Sequence, residues 1–203
     1  GLGSPLSIYL AVAGVGKLRI VDNDMVELSN LNRQILYSEE DIGRSKAKAA
    51  EEHLKRYNED IEVEGIDITI DEENVDELVE DCDLIVDCLD NYETRYVLNE
   101  TSIKHDIPFF HAAVNGMRGQ ASTFIPGETA CLKCIVPSPP GKEDFPVLGA
   151  TPGLLACIQA HEVVKYIVGI DDLLTNELLV VEDGTNFEKI EIQRNLDCYV
   201  CGD

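Results

Sequence analysis

The sequence predicts an α/β fold built on a doubly wound sheet, mainly parallel, with an antiparallel C-terminal part. Three observations carry that expectation. Over the first half, runs of strand length alternate with stretches of helical composition and spacing, the pattern of parallel strands joined by helices across the sheet faces. Asp83–Cys88 is a short apolar run without polar alternation, as expected of a parallel strand buried on both faces. The second half changes character, and its strand-like runs suit a more antiparallel region.

Taken in order, Leu6–Ala13 reads as an apolar helix, with Ser4 as N-cap, Pro5 as first helical residue, and Gly14 and Gly16 as its end. Lys17–Asp22 reads as a strand that ends in an acid. After an irregular stretch through Ser38, Ser45–Asn58 has helical spacing. A strand is expected near Ile61–Ile70, a short acidic helix near Glu73–Glu80, the buried strand at Asp83–Cys88, a helix over Tyr92–His105 and a strand at Ile107–Ala113. Gln120–Ile125, Leu178–Glu182 and Lys189–Ile192 read as the later strands. A Pro-rich loop, Pro137–Pro152, and an apolar helix, Gly153–Val168, separate the first of these from the other two; Ser138–Phe145 is the best candidate for a mobile loop. Nothing suggests an internal repeat.

A chain of 203 residues, 44% hydrophobic and 27% charged, suits one globular domain with a substantial core, assigned to residues 1–203. It offers no apolar run of about 18 residues and no export leader, so no membrane span is expected and the cytoplasm is the default compartment. A net charge of −23 repels nucleic-acid phosphates and argues against a nucleic-acid partner. Most of these acids read as a solvated surface, and a docking face for a basic partner is the sharper alternative. Any anionic ligand then needs local Arg, Lys and backbone N–H groups.

Four of the seven cysteines form two C-x-x-C pairs, Cys131/Cys134 and Cys198/Cys201, where random scatter would give about a quarter of one such pair. Two pairs from separated segments make a Cys₄ set of the kind that closes a structural zinc site; a redox C-x-x-C would want one pair at a helix N-terminus. Cys82, Cys88 and Cys157 stand in apolar surroundings and read as small core residues. His105, His111 and His161 read as structural, and His53 as exposed on its helix.

The first residues hold a clue to ligand chemistry. Glycines at a helix start let a phosphate approach backbone N–H groups, and an acid at the end of the following strand can accept hydrogen bonds from a ribose. Gly1 and Gly3 stand in that relation to Asp22. Such a glycine turn normally follows a strand, and none precedes this one. The expectation is therefore a glycine-rich loop whose leading glycines and strand are absent from the chain. By itself the pattern is weak, since the turn can be plain and Asp22 a helix cap.

Asp22-Asn-Asp24-Met-Val-Glu-Leu-Ser29-Asn30-Leu31-Asn32-Arg33-Gln34 is far more specific. Ile42-Gly43-Arg44-Ser45-Lys46 continues it, and Asp87-Cys88-Leu89-Asp90-Asn91 with Arg95 follows. This ordered set resembles the MoeB/ThiF/HesA family of ubiquitin-activating-type adenylating enzymes, and the resemblance runs from Gly1 to Cys201. It implies a Rossmann-like domain that uses ATP and Mg²⁺ to adenylate the C-terminal glycine carboxylate of a ubiquitin-like sulfur-carrier protein with a Gly-Gly tail, releasing pyrophosphate. By position, Asp22 would hold the ribose, while Asn30 and Arg33 would contact phosphates. Lys46 would reach the phosphates from its helix start, and Asp90, beside Asn91, would bind Mg²⁺. Gly1 and Gly3 would border the phosphate site. The resemblance further implies Zn²⁺ at the two cysteine pairs and a homodimer. Singly, each residue has a plainer use: Arg33 in a surface ion pair, Lys46 as a solvated helix residue, Asp90 as the cap of the helix from Tyr92.

Two departures from the family pattern narrow the expectation. Several relatives carry a loop cysteine that forms a thioester, persulfide or disulfide; here that position falls at Glu143, and Pro137–Leu155 holds no cysteine. Adenylation without thioester transfer is therefore expected, with Cys157 a core residue. The N-terminal Arg that family members draw from the neighbouring subunit is also absent. Three alternatives stay open: a tRNA-base dehydratase of the same fold, a non-catalytic dimer partner and, more distantly, a nicotinamide-dependent dehydrogenase.

Overall fold

The computed structural model describes residues 1–141 and 146–202. Helix α1 (Gly3–Ala13) opens the chain and strand β1 (Lys17–Val21) follows it. Next come α2 (Lys46–Tyr57), β2 (Glu62–Ile66), α3 (Val75–Val79), β3 (Ile85–Val86) and α4 (Tyr92–His105). The second half holds β4 (Phe109–Asn115), β5 (Arg118–Phe124), α5 (Leu132–Ile135), α6 (Ala150–Val168), β6 (Glu177–Glu182) and β7 (Asn186–Glu191). Among the described residues, no helix is long and apolar enough to cross a membrane.

The strands fall into two groups. β1 and β2 pair in parallel, Leu18 opposite Val63. The other five lie in the order β3-β4-β5-β6-β7, parallel between β3 and β4 and antiparallel from there on. The expected change from parallel to antiparallel pairing is present, but β1 and β3 share no ladder. One apolar core nevertheless spans both groups. Leu6 and Leu10 of α1, Leu18 of β1, Leu54 of α2, Phe110 of β4 and Val163 of α6 form a single buried cluster, against which Leu84 and Val86 pack.

Several elements differ from the sequence reading, each for a local reason. The strand expected over Asp83–Cys88 is reduced to Ile85–Val86, because only β4 pairs with it. Helix α6 begins at Ala150 rather than Gly153, with Pro152 in its first turn, where a missing N–H does no harm. Helix α1 begins at Gly3, and its N-cap position is Leu2. Ser4, expected as the cap, is instead buried inside the first turn, where its Oγ accepts the Leu36 N–H at 2.7 Å. That bond ties α1 to the irregular segment after β1. Ser4→Ala strands a buried donor and is expected to cost about 1–3 kcal/mol, read as a lower midpoint in urea unfolding at unchanged slope. An unchanged midpoint would show that Leu36 finds another acceptor.

His53 also departs from expectation: it is half-buried, with Nε2 3.0 Å from the buried Asp41 carboxylate. Burial works against the Asp41 charge, but the Ser38 N–H and His53 hold its carboxyl below the usual range. His161 is exposed, His105 reaches Asp76 at the surface (2.6 Å), and His111 alone of the three expected structural histidines is buried. Cys82, Cys88 and Cys157 are half-buried rather than fully enclosed, and burial pushes the Cys88 thiol up to about 12.

Candidate nucleotide site and cysteine cluster

In open α/β sheets, ligands bind beyond the carboxyl ends of the strands. Here that region is bordered by the end of β1, the residues after β3, and the N-termini of α1 and α2. Asp22, directly after β1, is half-buried and accepts the Asp24 N–H on Oδ1 at 2.9 Å. Burial raises its carboxyl above the usual range, while that N–H and Lys46 pull the other way.

Lys46 opens α2 with its side chain largely buried; Nζ donates to Asp24 Oδ2 at 2.7 Å, and Tyr37 Oη donates to its carbonyl. The Arg33 guanidinium donates through Nη1 to the Ser29 carbonyl (3.0 Å) and to Asn32 Oδ1 (2.9 Å). A Cβ on Gly1 would lie 3.7 Å from Arg33 Cδ, and one on Gly3 3.4 Å from Cys88 Cβ. The helix start thus sits between the Arg33 segment and the end of β3. Gly149 seals the other side: a side chain there would fall 2.2 Å from the Asn32 carbonyl. Asn30 is buried, and its Oδ1 accepts the Glu27 N–H at 3.1 Å, fixing the turn that presents Arg33.

Asp90 is exposed and has no side-chain hydrogen bond or ion pair among the described residues. The cap of α4 is Asn91, whose Oδ1 accepts the Thr94 N–H at 2.9 Å; the plainer use considered for Asp90 belongs to its neighbour. Gly1, Gly3, Asp22, Asn30, Arg33, Lys46, Asp90 and Asn91 all line one continuous cleft.

Beneath the cleft lies a network that the sequence reading passed over. Asp87 is fully buried at the end of β3. Its carboxylate accepts from Arg95 Nε (2.9 Å) and from His111 Nδ1 (2.7 Å), which leaves His111 Nε2 to accept from the Gln120 amide at 3.1 Å. Arg95 also donates to the Leu89 and Ala112 carbonyls, and the Gln159 amide donates to the Asp87 and Phe110 carbonyls. The backbone on either side of Cys88 is therefore held from three elements, and Asp90 follows directly. An acid inside an apolar run was the available signal, because a charge buried there requires partners.

The four paired cysteines converge. Cys131, Cys134, Cys198 and Cys201 place their sulfurs within 4.8 Å of one another, with contacts of 3.9, 3.9 and 3.4 Å. A tetrahedral zinc with Zn–S of about 2.3 Å sets sulfurs about 3.8 Å apart, so the set fits such an ion. Three of the four are buried and all four corners are protein sulfur, the donor set of a closed site. Although burial opposes it, backbone N–H groups of Cys201 and Val200 draw the Cys198 thiol down to about 7. Gly202 permits the tight second turn: a Cβ there would meet two carbonyls at 2.4 Å.

The position matching the family's loop cysteine, Glu143, and part of the expected mobile loop, 142–145, lie outside the described residues. Cys157 sits half-buried on α6.

The chain is similar to known proteins along its whole length. A family model described as "ThiF family" matches residues 1–200. The chain is 40% identical over its whole length to "Protein HesA" of Leptolyngbya boryana, covering 74% of that protein. It is 39% identical to the "SAMP-activating enzyme E1" of Haloferax volcanii, covering 77%, and 36% identical to the "Sulfur carrier protein adenylyltransferase" of Thermus thermophilus, covering 79%. Among solved structures, E. coli MccB with ATP superposes with a TM-score of 0.88 at 26% identity; all of this chain is covered, and 64% of that one. The chain thus spans a little under two thirds of that structure.

Proposed function

The chain belongs to the ThiF family, and from that membership we propose that it uses ATP to adenylate the C-terminal glycine carboxylate of a ubiquitin-like sulfur-carrier protein, releasing pyrophosphate. The observation that supports this most is the convergence of Arg33, Lys46, Asp22 and Asp90 on one cleft at the carboxyl ends of β1 and β3. The convergence draws together side chains as far apart as Asp22 and Asp90 in the chain.

The reaction joins two anions. A carboxylate oxygen of the carrier tail attacks the α-phosphorus, the bond from that phosphorus to the bridging oxygen breaks, and pyrophosphate leaves with the electron pair. Arg33 and Lys46 offset the repulsion on approach, the first as a planar donor and the second as a point charge. Asp22 accepts from the ribose hydroxyls, which fixes the nucleotide along the cleft. Asn30 holds the turn behind Arg33, and its amide, which makes only a long 3.5 Å contact to Ser29 Oγ, donates to the phosphates. Mg²⁺, bound at Asp90, would neutralise charge on the leaving pyrophosphate. Asp90 is exposed and without a side-chain partner among the described residues, which leaves it available for that task.

The four cysteines hold Zn²⁺ in a structural role, joining the segment after β7 to α5. The enzyme works as a homodimer, and with no cysteine in Pro137–Leu155 its chemistry ends at the acyl-adenylate.

The test is ATP–pyrophosphate exchange with a carrier ending in Gly-Gly. Asp90→Ala is expected to lower exchange by about 10²–10³. Absence of exchange with several carriers, or exchange that survives Asp90→Ala unchanged, would refute the assignment.

A further inference from the structure

The network under Asp87 reaches the cleft at one side chain, Gln120. The Asp87 charge is balanced by Arg95, 2.9 Å away, and a carboxylate can only accept hydrogen bonds. Its 2.7 Å contact with His111 therefore places a proton on Nδ1. A second cation on this fully buried ring would have no anion left to balance it, so His111 is neutral and Nε2 keeps a bare lone pair. Gln120 meets that lone pair at 3.1 Å and must present an N–H to it. Its carbonyl oxygen is thereby turned the other way. The two ends of a side-chain amide have nearly the same shape, but here a carboxylate two hydrogen bonds away decides between them.

The protein makes no use of the oxygen so fixed. Among the described residues Gln120 Oε1 accepts no hydrogen bond, and it is not sealed inside the protein as Gln34 Oε1 and Gln159 Oε1 are. The backbone that carries it is held as firmly as the amide. Gln120 pairs with Ala113 on β4 and with Val180 on β6. A Cβ on the adjoining Gly119 would lie 2.5 Å from Leu155 Cδ2, so β5 is pressed directly onto α6. An acceptor on a strand paired on both sides, aimed from beneath, is organised before any ligand arrives.

Its place in the sheet selects the ligand. Asp22 follows β1, Lys46 opens α2, and Asp90 follows β3. Gln120 lies two strands past β3, about 10 Å further along the sheet at the usual strand spacing. A nucleotide laid from Asp22 to Asp90 leaves that part of the cleft to the group that attacks it. A tail ending in Gly-Gly offers no side chain there, and its hydrogen-bond donors are its backbone N–H groups.

We propose that Gln120 binds the carrier tail: its Oε1, aimed by Asp87 through His111, accepts a backbone N–H from one of the two terminal glycines and sets how deeply the carboxylate enters the cleft. This rests on the adenylation reading above. Asp87 and His111 are then positioning residues, which touch no substrate and act through the amide.

The experiment removes the two ends of this bond separately and together. Gln120→Met keeps the length of the side chain and deletes the acceptor. Carriers made by peptide ligation carry N-methylglycine at the last or the penultimate position, which deletes one donor at a time. Affinity is measured without ATP by titration calorimetry, using whichever of a panel of Gly-Gly carriers the native chain binds most tightly. Gln120→Met is expected to weaken binding of the unmodified carrier about 10-fold. One of the two methylated carriers is expected to bind the native and Gln120→Met chains equally, since the bond is already lost; the bulk of the methyl group is common to both chains and cancels. If the Gln120→Met loss persists in full with both methylated carriers, or if no carrier of the panel binds, the proposal is overturned. Nitrogen-15 spectra of His111 supply a second reading, in which Nδ1 is expected protonated and Nε2 bare. A proton on Nε2 would turn the Gln120 amide over and overturn the proposal equally. Absence of pyrophosphate exchange with Gln120-dependent carrier binding intact would refute the adenylation reading and not this one.

Discussion

Protein loaded with zinc is expected to lose its C-terminal segment's structure when Cys131 is replaced by serine or the ion is stripped by a chelator. The argument is geometric. Beyond the buried Ile192, the segment after β7 adds little apolar burial of its own, with Leu196 and Tyr199 exposed and Cys198 and Cys201 turned inward. Its attachment rests on the four sulfurs, on the Arg194 guanidinium, which donates to the Gly127 carbonyl at 3.2 Å, and on the Ile192 N–H, which donates to the Asn176 carbonyl at 2.9 Å. Structural zinc contributes about 10 kcal/mol or more of apparent binding energy in small domains, and ligand loss forfeits much of it. With roughly 2–4 °C per kcal/mol at this chain length, the melting temperature is expected to fall by more than about 10 °C. Thermal unfolding with and without chelator, alongside bound zinc measured by atomic absorption, checks this. A chelator that removes zinc without moving the melting temperature would show that the site does not support the fold.

The second large effect concerns the network under the cleft. Asp87→Asn leaves Arg95 and His111 buried beside a neutral amide, and breaking a buried pair in this way costs about 3–5 kcal/mol. The effect depends on pH with a definite sign. Burial opposes the Asp87 charge, but Arg95 first and His111 next hold its carboxyl below the usual range. A carboxyl lowered by folding contributes stability above its unfolded pKa of about 3.9 and loses it as the pH falls through the folded value. The native chain should therefore destabilise steeply below about pH 4, and the Asp87→Asn chain, already weaker at pH 7, should show a shallower acid limb. Urea midpoints from pH 7 to pH 3 measure both. Parallel curves for the two chains would show that Asp87 is not the group that titrates.

How much of this was legible in the sequence depends on the range of the interaction. Asp22, Asn30, Arg33, Lys46 and Asp90 stand out in sequence because their order along the chain resembles a family pattern, and all five line one cleft, which is as far as the structure speaks to the roles proposed for them. The cysteine pairs were readable because metal chemistry dictates their spacing. The capping of α4 was misplaced by one residue, since Asp and Asn serve equally well in sequence and only the backbone at Asn91 decides between them. Ser4 followed the pattern of a cap, yet a partner 32 residues away claims its oxygen. Asp87 inside an apolar run signalled a buried charge, but its partners were hidden for the same reason: Arg95 comes from a helix, His111 and Gln120 from a hairpin, and no local period links them. Nor does periodicity reveal which strands are neighbours, so the break between β1 and β3 could not be read from strand-like runs alone.

The pairing of Lys46 with Asp24, and the hold of Ser29 and Asn32 on Arg33, has a consequence for selectivity. An anion entering the cleft does not meet bare cations. It takes part in an exchange, in which each cation leaves a partner already in place. The toll is fixed by the protein, whereas the return grows with the charge and the number of oxygens that the newcomer offers. A lone carboxylate or a singly charged phosphate ester recovers little of it, and a polyphosphate recovers it several times over. In the proposed reaction, the occupied cations would therefore act as a threshold, letting the cleft ignore the abundant small anions around it without any contact built to reject them.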